Sequence, residues 1–139
     1  MRMILYISTA RRGLSQGEII EILRQARSRN ISSGVTGILL YDRVRFMEVL
    51  EGPAEAVEDT FNRIRNDSRH VALVKLEDKP ITKRQFAGQA MAAYGTSEPD
   101  LAHSVEEIDG ILAGLTDLTL RDHLKSFARI RAIDSDHSH

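Results

Sequence analysis

The stretch from Asn30 to Gly52 reads NISSGVTGILLYDRVRFMEVLEG, and its pattern decides the fold. Two apolar runs, 35–41 and 46–50, flank the polar residues Asp42 to Arg45, which predicts a β-hairpin. In the second run the two-residue alternation of a strand puts Phe46, Glu48 and Leu50 on one face. Met47 and Val49 form the opposite row, so neither face reads as a solvent face. A carboxylate in that position must find donors, bind something or carry a proton.

Upstream of the hairpin, Met3 to Ser8 alternates as a strand, with Met3, Leu5 and Ile7 on one side and Ile4, Tyr6 and Ser8 on the other. The turn Ala10 to Gly13 ends it. Ser15 followed by Glu18 fits a capping box, and Ile19, Ile22, Leu23 and Ala26 repeat at helical spacing, predicting a helix to about Arg29. Downstream, Gly52-Pro53 opens a second helix, with the proline at its first position. Val57, Phe61 and Ile64 line one face of it, and it is expected to stop near Asn66–Asp67. Val71 to Leu76 reads as a fourth strand, and Phe86 to Ala93 is expected to contain a fifth.

The order β-α-β-β-α-β is that of an α+β, ferredoxin-like sandwich with both helices on one face of a mixed sheet. Beyond Tyr94 the composition changes. Ser104 to Leu112 predicts a short helix, and Leu120, Leu124, Phe127 and Ile130 form a second helical stripe. Four large apolar residues in a row are not left in water, so these helices are expected to cap the sheet face opposite the first two. The expected organisation is a domain over 1–95, a helical extension over 96–132 and a disordered tail over 133–139. The histidines of that tail read as isolated terminal imidazoles rather than as metal ligands.

Composition narrows the function classes. With 139 residues there is chain enough for a real core. Nineteen Lys and Arg against twenty Asp and Glu leave a formal charge of −1, which favours neither nucleic acid nor an anionic membrane. No apolar run approaches the length of a membrane span. The absence of cysteine excludes disulfides, thiolate chemistry and the usual zinc frameworks. The expectation is a cytoplasmic protein.

GVTGILLY from Gly34 to Tyr41 and FMEVLEGP from Phe46 to Pro53 resemble the BLUF family, flavin-binding domains that sense blue light using FAD. The resemblance runs from about Met3 to Met91 without a gap. It implies FAD as cofactor, with FMN possible, and a non-enzymatic sensor that forms a homo-oligomer and signals to an effector protein. Tyr6 matches the family's first-strand tyrosine, the light-driven electron donor. Ile22 and Ile64 match the aliphatic residues that sandwich the flavin ring. Arg29 and Asn30 match the end of the first helix, where the asparagine reads the flavin's polar edge. Asp67, Arg69 and His70 match the loop that adds polar contacts, and Met91 matches the fifth-strand methionine. Two positions depart: Glu48 stands where the family has glutamine, and Gln89 where tryptophan is common.

In the family the glutamine amide bridges tyrosine and flavin and rearranges after excitation. That role needs a group that donates at one end and accepts at the other, and an ionised carboxylate only accepts. Burial among Phe46, Leu50 and a flavin would favour a neutral Glu48, which keeps one O–H donor and one acceptor. The resemblance therefore implies a flavin held in a lit-like hydrogen-bond pattern with switching weakened or lost. Gln89 offers an amide as a candidate replacement for the missing bridge.

Each residue also has an ordinary explanation. Ile22 and Ile64 suit the core of any sandwich, Tyr6 a strand aromatic with its hydroxyl satisfied, and Asn30 a helix C-terminus with left-handed backbone. Arg69 and His70 suit a solvated loop beside a helix end. Two functions compete with the sensor. One is a degenerate relative that keeps the fold as an interaction module with little flavin. The other is a small phosphatase using Arg11 or Arg12, for which the turn ARRG offers no recognisable phosphate cradle.

Overall fold

The hairpin forms as the alternation predicts, with β2 over Thr36–Tyr41 and β3 over Arg45–Gly52. The turn is held by Asp42, whose Oδ1 accepts from the backbone N–H of Val44 (3.0 Å) and Arg45 (2.6 Å). The computed structural model describes residues 1–87, 92–94 and 105–137, with side chains for 1–87 and 106–128. Met91 and Gln89 lie outside these residues.

Strand β1 (Arg2–Ala10) pairs antiparallel with β3 on one side and with β4 (His70–Pro80) on the other. The sheet order is β4-β1-β3-β2-β5, where β5 (Ala92–Tyr94) runs parallel to β2. This is the expected ferredoxin-like arrangement with a fifth strand at the edge. The fifth strand lies at the end of the expected stretch, and Phe86 is not part of it but a buried turn residue, 2 % exposed.

Helix α1 spans Gln16–Ser33 and carries the capping box: the Glu18 N–H donates to Ser15 Oγ, and the Ser15 N–H donates to Glu18 Oε1. It runs a turn past the expected end, so Asn30 is helical and the left-handed cap is Gly34 (φ 74°), whose N–H donates to the Asn30 carbonyl. That conformation suits a residue without Cβ. Helix α2 spans Ala54–Arg65, and Pro53 caps it rather than opening it (ψ 135°). Gly37 answers a different need: a Cβ there would lie 1.8 Å from the Val49 carbonyl oxygen, so the two strands approach only because β2 has a glycine. This accounts for the second glycine of GVTG.

Alternation divides the core into two layers. Ile4, Tyr6, Leu50, Leu39 and Phe46 face α1 and α2, packing on Ile19, Ile22, Leu23, Val57, Phe61 and Ile64. Met3, Leu5, Ile38, Leu40, Met47 and Val49 face the other way, against α3 (Val105–Ala113) and α4 (Leu118–His137). Ile108, Leu112, Leu120, Leu124 and Phe127 fill that second layer, as the helical stripe implied. The side chain of Ile130 is outside the described residues. Helix α4 continues to His137, so residues 133–137, expected as a disordered tail, are helical.

Leu124 is fully buried in the second layer. Leu124→Ala is expected to cost about 2–5 kcal/mol through lost burial and the cavity left behind. The shift of the urea midpoint at constant slope measures it.

Candidate functional site

The sheet register places Glu48 in the middle of its layer, opposite Tyr6 on β1 and Leu39 on β2. Both ionisable groups are almost wholly buried, at 1 % exposure each. The Tyr6 hydroxyl donates to Glu48 Oε1 at 2.5 Å, while Glu48 Oε2 is buried without a hydrogen-bond partner among the described residues. Burial pushes the Tyr6 phenol well above its ordinary value, and the neighbouring Glu48 adds to the rise. Burial also raises Glu48, against the opposing pull of the Tyr6 hydrogen bond and the Arg29 charge. Burial thus favours the neutral form of each group.

Above this floor a cleft opens between α1 and α2. Its walls include Ile22 and Ile64, and its rim includes Arg29, Asp67, Arg69 and His70. The loop after α2 is self-braced: Arg69 Nη2 pairs with Asp67 Oδ2 at 2.6 Å, and the Arg69 N–H donates to Asp67 Oδ1 at 2.9 Å. The Arg69 hydrogen bonds hold the Asp67 carboxyl down at about 2. Arg69 Nη2 also donates to Gln25 Oε1 at 2.7 Å, tying the loop to α1. His70 starts β4, shares a hydrogen bond with Ser8 Oγ (2.9 Å) and stacks near Phe46 with ring centroids 4.9 Å apart. Burial lowers its pKa to about 4, so the imidazole is neutral at neutral pH.

Eight of the ten expected site residues line this one cleft: Tyr6, Ile22, Arg29, Glu48, Ile64, Asp67, Arg69 and His70. Asn30 is fully buried beside Arg29 on α1 but does not line the cleft, and Met91 lies outside the described residues. Gln25, Ala26 and Leu39 also line it. Gln25 and Ala26 stand three and four residues after Ile22, the spacing that puts helical side chains on one face. Leu39 follows from the register, since it is the β2 partner of Glu48.

A planar aromatic ligand suits these residues. Two aliphatic side chains on neighbouring helices give it walls, and two buried atoms without a partner among the described residues, Glu48 Oε2 on the floor and Arg29 Nε at the rim, offer polar contacts. The cavity itself measures about 10 Å³, space for a single water. Entry of a ring therefore requires α1 and α2 to part, and the two helices share few contacts.

Comparison with known proteins agrees. The sequence model described as sensors of blue-light using FAD, BLUF, matches residues 1–92. Photoactivated adenylate cyclase subunit beta of Euglena longa is 36% identical over 93 residues, covering 67% of this chain and 11% of that protein. The blue light- and temperature-regulated antirepressor BluF of Escherichia coli is 36% identical over 77 residues, 55% of this chain and 19% of that protein. The chain thus spans about a tenth of the cyclase subunits' length. Among solved structures, the dark-state BLUF protein BlrB superposes with a TM-score of 0.65 at 30% identity, covering 81% of this chain and 94% of that one. Klebsiella pneumoniae BlrP1 with FMN and cyclic diGMP gives 0.73 at 27% identity, covering 91% and 34%.

The cleft titrates with two opposing signs. Lowering the pH from the ordinary histidine value of 6.5 to about 4 protonates the unfolded chain before the folded one. Stability contributed by neutral His70 is lost across that window, up to about 3 kcal/mol. Glu48, raised in the fold, contributes stability that is complete below the ordinary carboxyl range and fades as pH rises through its folded value. His70→Gln is expected to flatten the loss of stability as pH falls below 6.5, and Glu48→Gln the loss as pH rises above the ordinary carboxyl range. Urea midpoints across the pH range read both slopes.

Proposed function

Because this chain belongs to the BLUF family, whose members sense blue light using FAD, we propose that it acts as a photoreceptor module whose photoswitching is weakened or altered by Glu48 in the place of the family's glutamine. When bound, the flavin absorbs blue light and accepts an electron. Ile22 and Ile64 would enclose it from α1 and α2, with Arg29, Asp67, Arg69 and His70 at its rim and Asn30 reaching its polar edge. Met91 is assigned to the same site by its place in the family pattern. FAD and FMN share the ring that this cleft would hold.

The observation that carries the reading is the Tyr6 hydrogen bond to Glu48 Oε1 on the cleft floor, which leaves Oε2 without a partner. A neutral Glu48 holds its proton on Oε2, accepts from Tyr6 at Oε1, and so has one O–H to give. A carboxylate would leave an unpaired buried acceptor costing about 1–3 kcal/mol, more when charged. Such a pattern of one acceptance and one donation is what a rearranged amide would present. The module is therefore read as locked near its signalling state, with reduced photoswitching.

The chain is read as non-enzymatic and cytoplasmic, forming a homo-oligomer and passing its state to a separate effector protein, with no direct contact to nucleic acid or membrane. Among the described residues no helix is long and apolar enough to cross a membrane. One observation favours the second reading, an interaction module with little flavin: the cavity is only about 10 Å³. A purified chain that is yellow, or turns yellow on reconstitution, supports the sensor. One that stays colourless supports the module.

In the flavin-loaded chain the absorption maximum is expected to shift between mild acid and alkali as Glu48 ionises, and to stay fixed in Glu48→Gln. Retained flavin with no shift in the parent would sink the neutral-carboxyl reading. Glu48→Gln is further expected to gain a larger reversible absorption change under blue light, and Gln89→Ala to lose whatever light response the parent shows if Gln89 supplies the bridge.

A further inference from the structure

Strand β3 buries a second carboxylate that the cleft does not use. Glu51 has no exposed surface and lies three residues beyond Glu48, on the opposite face of the sheet. Its Oε1 accepts from Thr36 Oγ1 (2.9 Å) and the Phe86 N–H (2.6 Å), and its Oε2 accepts from the Gln85 N–H (2.8 Å). Two consecutive backbone donors of the segment after β4 thus end on one side chain. From the same segment the Gln85 side chain reaches the turn between α3 and α4. Its Oε1 accepts from the N–H of Thr116 (2.8 Å) and Asp117 (3.1 Å), and its Nε2 donates to Thr116 Oγ1 (2.9 Å). Asp117 then caps α4, accepting from the Leu120 N–H at 3.1 Å, and binds Lys79 Nζ at 2.7 Å.

We propose that Glu51 and Gln85 form a clip coupling β3, the strand beneath the flavin cleft, to the first turn of α4. It rests on the flavin-sensor reading and adds the residues that carry a change at Glu48 to the far layer. The rest of the contact between sheet and helices is largely apolar, and apolar burial is non-directional, so it lets surfaces slide. Hydrogen bonds are directional, and a buried carboxylate that loses its donors is heavily penalised. A shift of β3 is therefore obliged to draw Gln85, and with it the α4 cap. Glu51 and Gln85 are positioning residues: both lie on the sheet face away from Tyr6 and Glu48.

The test is residue-resolved amide exchange on the full chain with and without FAD, in the parent, Gln85→Ala and Glu51→Gln. In the parent, flavin uptake is expected to change exchange at Thr116, Asp117 and Leu120 by about fivefold or more. Gln85→Ala is expected to bind FAD with unchanged absorption and affinity while losing that distal response. A simple loop staple would raise exchange at the turn equally with and without FAD, leaving the flavin-dependent difference intact, and that result overturns the clip. A yellow parent with no change at these amides overturns it too. Glu51→Gln, which substitutes a donor for one of the two acceptors, is expected to reproduce the Gln85→Ala result. A parent that takes up no flavin removes the sensor reading, and the clip with it.

Discussion

The hydrogen bond from Tyr6 to Glu48 is the constraint around which the rest is arranged. Strand β3 lies in the middle of the sheet and is covered on both faces, so water cannot solvate a carboxyl group on it. The fold supplies one phenolic donor, placed directly across the β1–β3 register. Burial then acts on both partners in the same direction and raises the pKa of each. The result is a hydrogen-bonded polar pair under a cleft walled by Ile22 and Ile64.

The rim follows a different logic. Asp67 and Arg69 neutralise each other and brace the loop, while His70 is kept uncharged by burial. Paired charges therefore stand at the mouth, and the floor carries groups whose neutral forms burial favours. That gradient favours a ligand with a flat apolar body and a hydrogen-bonding edge, since no fixed charge has to be stripped of water beneath it.

On the other face the same strand behaves in the opposite way. Glu51 is fully satisfied by three donors from two separate segments, so it anchors, whereas Glu48 keeps one oxygen free. Two carboxylates three residues apart thus divide the work, one facing the cleft and the other holding the helical layer. The alternation of a strand is what allows a single short element to serve both.

Much of this was legible in the sequence because it is local. The alternation at Met3–Ser8 and Phe46–Leu50, the Ser15/Glu18 capping box and the stripe Leu120, Leu124, Phe127 each reflect a backbone period that a few neighbouring residues define. The family pattern added the grouping of Tyr6, Ile22, Glu48, Ile64 and the loop after α2. Only the tertiary structure placed Leu39 and Gln25 at the cleft, continued α1 to Ser33 so that Asn30 is helical, and tied Glu51 through Gln85 to α4. The place of Leu39 and the tie through Gln85 depend on strand order and on hydrogen bonds between residues thirty or more positions apart, and no local periodicity specifies which distant segment arrives.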